Sequence, residues 1–348
     1  MKPEIRLLEE LLGVLGNPSY RPSFSPERIF DLSFFIDLVE KHRLSALFYW
    51  KMKRNARWDS IPLPVREAWE ERYHAALAQT TLRYDLLRKL LSALKNEGID
   101  VILLKGAHLA ESYYPHPALR PLDDVDLLVP KGKRDIARAV LGKAGLKFIS
   151  ETVTARKYSY LDGEGPPRLF LEVHSDLQTP RRRNPSFDIK IEDFWEDSHP
   201  VKLYGASVRV LDPALNLIYL SAHLAHHGFS RLIWFYDLHL IMKKDGKTIS
   251  WNKLAERSKR YRSAGQVYFS FFLAHKILFS PIPEEVLKNL SPPFYKKCLI
   301  RFALNKINTL ARSVPSAGIL GLWLKFTLND SWLSVLRWLF YSPDRSLL

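Results

Sequence analysis

Two aspartates separated by one residue are the side chains in this sequence best suited to chemistry. Asp124 and Asp126 lie in the apolar segment DDVDLLV, residues 123–129. Because alternate residues of a β-strand point to the same face, the segment predicts a strand from which both carboxylates project together. Like charges that close repel unless a cation or a proton lies between them, and an oxygen-only pair suits Mg²⁺ or Mn²⁺. The simpler alternative is a pair of solvated turn residues.

A second apolar segment supplies a third carboxylate. It reads RLFLEVH at residues 168–174, and strand alternation places Glu172 and His174 on one face. If this strand neighbours the first, Glu172 faces the two aspartates. Three acids on adjacent strands could bind two metal ions.

A glycine turn precedes the aspartates. The apolar run 101–104 stops at Lys105-Gly106, and the helical-looking segment AHLAESYY follows. This pattern predicts a strand, a tight turn and a helix. Gly106 allows the backbone to approach a ligand closely, and the amides at the helix start form an anion site. A phosphate site beside a metal site is the specific combination that the sequence predicts.

The surrounding elements indicate an α+β fold, with a small mixed β-sheet core flanked by helical regions at both ends. A helical segment at 73–97 ends on Gly98, and Asp212-Pro213 is typical of a helix start. Between them, a helix over about 133–144 and a hairpin around DGEGPP are expected. The predicted division is 1–98 helical, 99–211 α+β and 212–348 helical.

Composition narrows the class of protein. The chain has 348 residues, 47% of them hydrophobic, which excludes a disordered, collagen-like or coiled-coil protein. Its net charge of +15 favours acidic partners such as nucleotides, nucleic acid or anionic membrane. The single cysteine, Cys298, excludes an intrachain disulfide and cysteine-based zinc clusters, and it favours the cytoplasm. No export signal or transmembrane segment is expected, since charges interrupt 319–341, the most membrane-like stretch.

Several motifs, taken in order, resemble a known family. LLKGAHL, RPLDDVDLLV and LEVH are similar to the uncharacterised nucleotidyltransferase family of the DNA polymerase beta-like superfamily. HLAHHGFSRLIWFYDLHLI and ISWNKLA resemble its C-terminal helical segment, so the likeness covers roughly residues 80–275. The resemblance implies a small mixed sheet with helices. It also implies transfer of a nucleoside monophosphate from an NTP to an acceptor.

The resemblance also implies roles for individual residues. Asp124, Asp126 and Glu172 would be catalytic metal ligands for Mg²⁺ or Mn²⁺, with Glu172 helping to activate the acceptor hydroxyl. The expected nucleotide-binding residues are Lys105, Gly106, Ala107 and Arg120, and the expected pocket residues are His174, His223, Arg231 and Asp237. Two departures from the family pattern bear on activity more than on fold: Ala107 stands where Gly or Ser is common, and the third acid is Glu.

The C-terminal motif residues also have structural interpretations. His223 and His227 lie one helical turn apart and suggest zinc, although packing near a cleft is the favoured alternative. Arg231 and Asp237 share a helix face with Trp234, which fits equally a packed ion pair or a pocket lining. The basic run 181–183 is typical of a solvated loop, with phosphate or RNA contact as the alternative.

The leading hypothesis is a metal-dependent nucleotidyltransferase that uses ATP and transfers AMP to a small molecule, sugar or peptide, at a hydroxyl or a phosphate. The net charge keeps an RNA-modifying enzyme as an alternative. Ala107 keeps a third hypothesis open, a non-catalytic nucleotide-binding scaffold.

Overall fold

A computed structural model describes residues 3–17, 20, 31–55, 58–152, 157–162, 169–176 and 189–298. The chain divides into two compact units. Among the described residues, the first comprises those up to Tyr73 and those from Asn216 onward, and the second comprises those between His74 and Leu215. Within the described part of the chain, no helix has both the length and the apolar character needed to cross a lipid bilayer.

Helices and strands alternate only in the middle of the chain. The helices are α1 (Pro3–Gly16), α2 (Leu32–Lys41), α3 (Ser45–Met52), α4 (Leu63–Asn96), α5 (Lys105–Tyr113), α6 (Arg134–Lys143), α7 (Ile191–Glu196), α8 (Pro213–His226), α9 (Leu232–Asp245), α10 (Trp251–Arg260), α11 (Ala264–Leu278) and α12 (Glu284–Leu290). The strands are β1 (Ile102–Leu104), β2 (Val125–Leu128), β3 (Leu146–Thr152), β4 (Lys157–Asp162), β5 (Phe170–His174), β6 (Ser198–Leu203) and β7 (Ala206–Leu211).

The strands form one mixed sheet in the order β3-β4-β5-β2-β1-β7-β6. β2 pairs in parallel with β5, and β1 pairs in parallel with β7, whereas the other neighbours are antiparallel. The predicted α+β class with a mixed sheet is therefore confirmed. The sheet is larger than the sequence indicated, because β3, β6 and β7 add to the four predicted strands.

Apolar runs place β1 and β2 in the interior of the sheet. Every residue of both strands is buried. The leucines of α4 and the inward side chains of β1, β2 and β5 form one core cluster. Full burial of one such aliphatic side chain contributes about 1.5–3 kcal/mol. The sheet therefore holds the ends of β2 and β5 rigidly beside each other.

Two predicted helix boundaries are confirmed. α4 ends two residues before Gly98, whose φ of +65° is the left-handed conformation expected of a C-terminal glycine. α8 begins at Pro213, and the Asp212 carboxylate accepts a hydrogen bond of 2.9 Å from the Ala214 amide. The predicted hairpin strands β4 and β5 pair antiparallel, while the turn between them lies outside the described residues.

The first unit is helical and has its own core. Trp69 is fully buried against Phe35 and Phe48, with ring centroids 5.9 and 5.7 Å apart. The amide of Ile233, in α9, donates to the His42 carbonyl, which ties an N-terminal segment to a C-terminal helix. The basic run 181–183 and the tryptophan-rich tail lie outside the described residues.

Candidate functional site

A row of polar side chains crosses the sheet. In the parallel pair β2 and β5, Asp126 lies directly opposite Glu172. On the far side of β5, Ser159 of β4 lies opposite Glu172 in turn. Directly opposed residues of neighbouring strands point to the same face, so these three side chains share one surface of the sheet. The predicted meeting of Asp126 and Glu172 is present in the structure.

Asp126 is the centre of this row. Its side chain is 2% exposed, and one oxygen, Oδ1, accepts hydrogen bonds from Lys105 Nζ at 2.8 Å and His174 Nε2 at 2.9 Å. Burial alone would raise the pKa of the Asp126 carboxyl, but the Lys105 ammonium and the His174 ring hold it well below its usual range. Asp126 is therefore a carboxylate at any pH near neutrality.

His174 links the two acids. Its Nε2 lies 3.6 Å from Glu172 Oε2 as well as 2.9 Å from Asp126 Oδ1. Burial alone would lower the pKa of His174, but the hydrogen bonds to Asp126 and Glu172 raise it above its ordinary value. In the metal-free protein the ring is thus stabilised as a cation between two carboxylates, and ligation of a metal by Nε2 would require loss of that proton.

Asp126, Glu172 and His174 form a set of side chains suited to a divalent cation. One ligand atom from each lies within 4.8 Å of the others. Two carboxylates and an imidazole fit Mn²⁺, and the carboxylates also fit Mg²⁺ with water completing its shell. The donor chemistry therefore fits the predicted metal, and His174 joins the group where the sequence suggested Asp124.

Asp124 directly precedes β2, and the neighbouring carboxylates repel its negative charge. Burial and the neighbouring Asp126 raise the pKa of Asp124 to about 6, with Glu172 adding to the effect and Lys105 opposing it. The two aspartates of the motif thus differ sharply. Asp126 is neutralised by cations of the protein itself, whereas Asp124 is the acid that a bound cation would relieve.

The turn at the start of α5 directs the Lys105 ammonium toward Asp126. Lys105 is the first residue of α5 and has a φ of +48°, a left-handed conformation that is strained for a side chain of this kind. The strain expected at a tight turn therefore falls on Lys105 and not on Gly106. The preceding residue is Leu104, whose apolar side chain cannot cap the helix, so the first-turn amides keep their capacity to bind an anion.

Packing around Gly106 favours a residue without a side chain. A methyl group added there would come within 3.0 Å of the Leu122 side chain and 3.1 Å of Arg120 Nη1. Arg120 is largely buried, and its guanidinium donates to the Pro121 carbonyl at 2.9 Å. The predicted nucleotide-binding residues 105–107 and Arg120 are therefore brought together.

A comparison with protein families identifies the family of the chain. The family model described as "Uncharacterised nucleotidyltransferase" matches residues 29–279, which is more than half of the chain. The chain belongs to this nucleotidyltransferase family. The resemblance inferred from the sequence motifs is thereby confirmed, and the class of reaction attached to the family is nucleotidyl transfer.

A structural comparison finds the solution structure of the antibiotic-resistance factor ANT(2'')-Ia. It is 13% identical in sequence, and the match covers 66% of this chain and 97% of that chain with a TM-score of 0.30. The curated proteins include no match to the chain.

The family's C-terminal motif residues lie in the first unit. His223 and His227 pack their rings 4.5 Å apart and contact Trp234 at 5.1 and 5.3 Å, and Arg231 lies over the same indole at 5.4 Å. Asp237 is buried in α9. Among the described residues, the three metal-ligating side chains that converge are Asp126, Glu172 and His174, so the histidine motif does not form such a set. Its geometry favours the packing interpretation over zinc.

Two residues of the nucleotidyltransferase site were not predicted from the sequence. Ser159 extends the polar row beyond Glu172, and strand alternation in the segment KYSYL was its signal. Tyr204 donates a hydrogen bond of 2.6 Å to the Ala107 carbonyl from a hairpin that is distant in sequence. A pairing of that range has no local pattern, so sequence periodicity could not indicate it.

Proposed function

We propose that this chain is a metal-dependent nucleotidyltransferase that transfers AMP from ATP to a hydroxyl or phosphate of a small-molecule, sugar or peptide acceptor. The observation that carries the proposal is the position of the Lys105 ammonium, 2.8 Å from Asp126, at the start of a helix whose first-turn amides can bind phosphate. A triphosphate site thus adjoins a carboxylate cluster. Nucleotidyl transfer needs both in contact with one substrate.

The metal would be held by Asp126, Glu172 and His174, with Asp124 adding negative charge beside them. A bound Mg²⁺ or Mn²⁺ supplies positive charge that offsets the triphosphate and lowers the pKa of an acceptor hydroxyl. The residues of the chain then bind, orient and exchange protons with the two substrates.

The proposed step is an in-line displacement at phosphorus. An acceptor oxygen forms a new bond to the α-phosphorus, the bond to the oxygen bridging to the β-phosphate breaks, and pyrophosphate leaves. For a hydroxyl acceptor, the proton passes to the Glu172 carboxylate. His174, whose Nε2 lies 3.6 Å from Glu172 Oε2, holds that carboxylate in place.

Charge on the leaving pyrophosphate falls to the cations around the α5 turn. Lys105 and Arg120 are the proposed phosphate contacts, together with the amides of Gly106 and Ala107. Because Ala107 supplies only its backbone N–H, the site lacks the hydroxyl that a serine would offer. Lys105 would exchange its carboxylate partner Asp126 for phosphate oxygens as the triphosphate enters.

The proposal extends to the acceptor and to the location of the protein. His223, Arg231 and Asp237 stay proposed pocket residues, because they belong to the family-matched segment. The cytoplasm, with its nucleotide pool and reducing conditions, is the proposed location. RNA is the alternative acceptor, favoured by the net charge of +15.

The decisive experiment follows the label of [α-³²P]NTPs. The full chain is incubated with Mg²⁺ or Mn²⁺, each NTP in turn, and separate pools of small molecules, sugars, peptides and RNA. Label from ATP in a small product supports the proposal, and label in RNA replaces it with the RNA-modifying alternative. No transfer from any NTP contradicts the enzyme and favours a nucleotide-binding scaffold.

Variants at the acids connect the activity to the site. Asp126→Asn and Glu172→Gln keep shape and remove charge, so transfer should fall by orders of magnitude, roughly a hundredfold or more. Asp123→Asn is the matched control, because Asp123 is exposed and lies out of phase with Asp126. Undiminished transfer in the Asp126 variant contradicts the mechanism.

A further inference from the structure

The tip of the β6–β7 hairpin holds a tyrosine in an unfavourable conformation. Tyr204 and Gly205 connect the strands with φ values of +51° and +68°. A two-residue turn with both central residues at positive φ normally takes asparagine or aspartate followed by glycine. A tyrosine there is strained, because in the left-handed conformation its Cβ lies too close to the following carbonyl oxygen. Backbone strain at one residue persists only where contacts of the surrounding structure compensate for it.

The compensating contact is made by the side chain. Tyr204 is 4% exposed, and its hydroxyl donates a hydrogen bond of 2.6 Å to the carbonyl of Ala107. Its ring packs against Tyr84 of α4, with ring centroids 4.4 Å apart, and the Tyr84 hydroxyl donates to Glu111 of α5. The hairpin tip thus lies against α4 and α5 together.

The chemistry of Tyr204 keeps it a donor. Burial and the Glu111 carboxylate raise the pKa of Tyr204, so the phenol stays protonated at every physiological pH. A carbonyl accepts and cannot donate, so the direction of the bond to Ala107 is fixed. The contact is constant across the pH range in which an enzyme of this kind would work.

Ala107 belongs to the first turn of α5. Lys105 enters that turn in a strained left-handed conformation, and Leu104 cannot cap it with a side-chain hydrogen bond. The first turn of a helix is its most easily frayed part, because its amides have no intrahelical partners. A hydrogen bond to the Ala107 carbonyl holds this turn from the opposite side and leaves the amides to a ligand.

We propose that Tyr204 is a positioning residue of the nucleotide site, which braces the first turn of α5 so that its amides and Lys105 are aimed at the triphosphate. The inference rests on the proposed function. Tyr204 touches neither substrate nor metal ligand; it acts through Ala107. Such bracing preorganises the binding site. Preorganisation improves affinity because less conformational entropy is lost when the ligand binds.

The test removes one hydroxyl. Tyr204→Phe keeps the ring against Tyr84 and loses the hydroxyl, with its bond to Ala107 and its interaction with the Tyr84 hydroxyl. Tyr160→Phe is the control because Tyr160 is a buried tyrosine of the same unit. Amide hydrogen exchange of residues 105–113 is measured without nucleotide. The dissociation constant for Mg·ATP and the KM and kcat of transfer are measured on the same proteins.

In Tyr204→Phe we expect faster exchange in the first turn of α5 and Mg·ATP binding weakened roughly fivefold, the effect of one net hydrogen bond. KM for ATP should rise by a similar factor with a smaller change in kcat, whereas Tyr160→Phe should leave all of these unchanged.

Exchange in α5 that matches wild type overturns the brace whatever the nucleotide result. Faster exchange with unchanged Mg·ATP binding overturns its role in the site, leaving Tyr204 a structural residue. Absence of Mg·ATP binding by wild type overturns the proposed function itself, and the exchange measurement keeps that failure distinguishable from failure of the brace.

Discussion

Asp124 and Asp126 share a motif but hold opposite electrostatic positions. Asp126 is buried between Lys105 and His174, which stabilise its charge, whereas Asp124 is repelled by Asp126 and Glu172. The sequence pattern treats the two aspartates alike, because strand periodicity shows which face a side chain takes and not which cations lie on that face. A metal-free protein should therefore respond in opposite ways to neutralisation of each acid.

Replacing Asp124 by Asn should stabilise the metal-free protein. The folded-state pKa of about 6 lies above the unfolded value near 3.8, so the folded protein keeps a proton that the unfolded chain releases. Stability of the wild type should thus fall as pH rises from about 4 to 6. The Asn variant should lack this fall and gain about 1–3 kcal/mol at pH 7. Urea unfolding in EDTA between pH 4 and 8 measures both curves, and parallel curves would contradict the assignment.

Replacing Asp126 by Asn should destabilise the metal-free protein, by about 3 kcal/mol, because Lys105 and His174 lose their buried partner. The folded-state pKa of Asp126 is depressed, so its contribution is present above the unfolded pKa and is lost only at strongly acidic pH. The folded-state pKa of His174 is raised, so its contribution is complete below about 6.5 and declines as pH rises through the folded value. The stability difference between wild type and variant should therefore be largest between about pH 4 and 6.5. A more stable Asp126 variant in the same urea experiment would contradict this charge balance.

At the scale of elements, the sequence predicts those strands that are continuous apolar runs. β1, β2 and β5 are short buried segments, and their flanking polar residues lie at the site. β6 was not predicted because exposed polar residues and Pro200 interrupt it, which is typical of an edge strand. The brace from Tyr204 depends on this unpredicted hairpin, so the part of the site it supports could not be inferred from local pattern.

The turn of α5 gives a prediction with a matched control. Gly106→Ala places a methyl group 3.0–3.3 Å from Leu122 and the Arg120 guanidinium, so Arg120 must move. The rise in thermal midpoint produced by Mg·ATP should shrink, since a displaced Arg120 contributes less charge to phosphate.

Gly142→Ala in α6 is the control for that variant. Among the described residues, nothing lies within 4 Å of a methyl group added at Gly142. Ordinary helix propensity should then raise the midpoint slightly, by the equivalent of about 0.5–1 kcal/mol, and leave the nucleotide response intact. An equal nucleotide response in both variants would remove Arg120 from the proposed phosphate contacts.

At the scale of the whole molecule, the family match crosses the two compact units. Residues 29–279 include all of the described α+β unit and most of the helices of the other unit. The three-part division at 98 and 211 remains a proposal, since compactness groups the first 73 residues with those after 215.

A chain ending at residue 211 should aggregate and lose transfer activity. In the first unit, α1 buries Leu8 and Leu11 completely or nearly so, and Gly16 lies against the backbone of Leu278 at the end of α11. Removing α8 to α12 exposes that apolar face of α1, and exposed apolar patches of this kind drive association. The full chain is the control. Size-exclusion chromatography, circular dichroism and the labelled-NTP assay on the truncated and full chains measure the outcome; a soluble, folded and fully active 1–211 fragment would show that the C-terminal helices serve neither the fold nor the reaction.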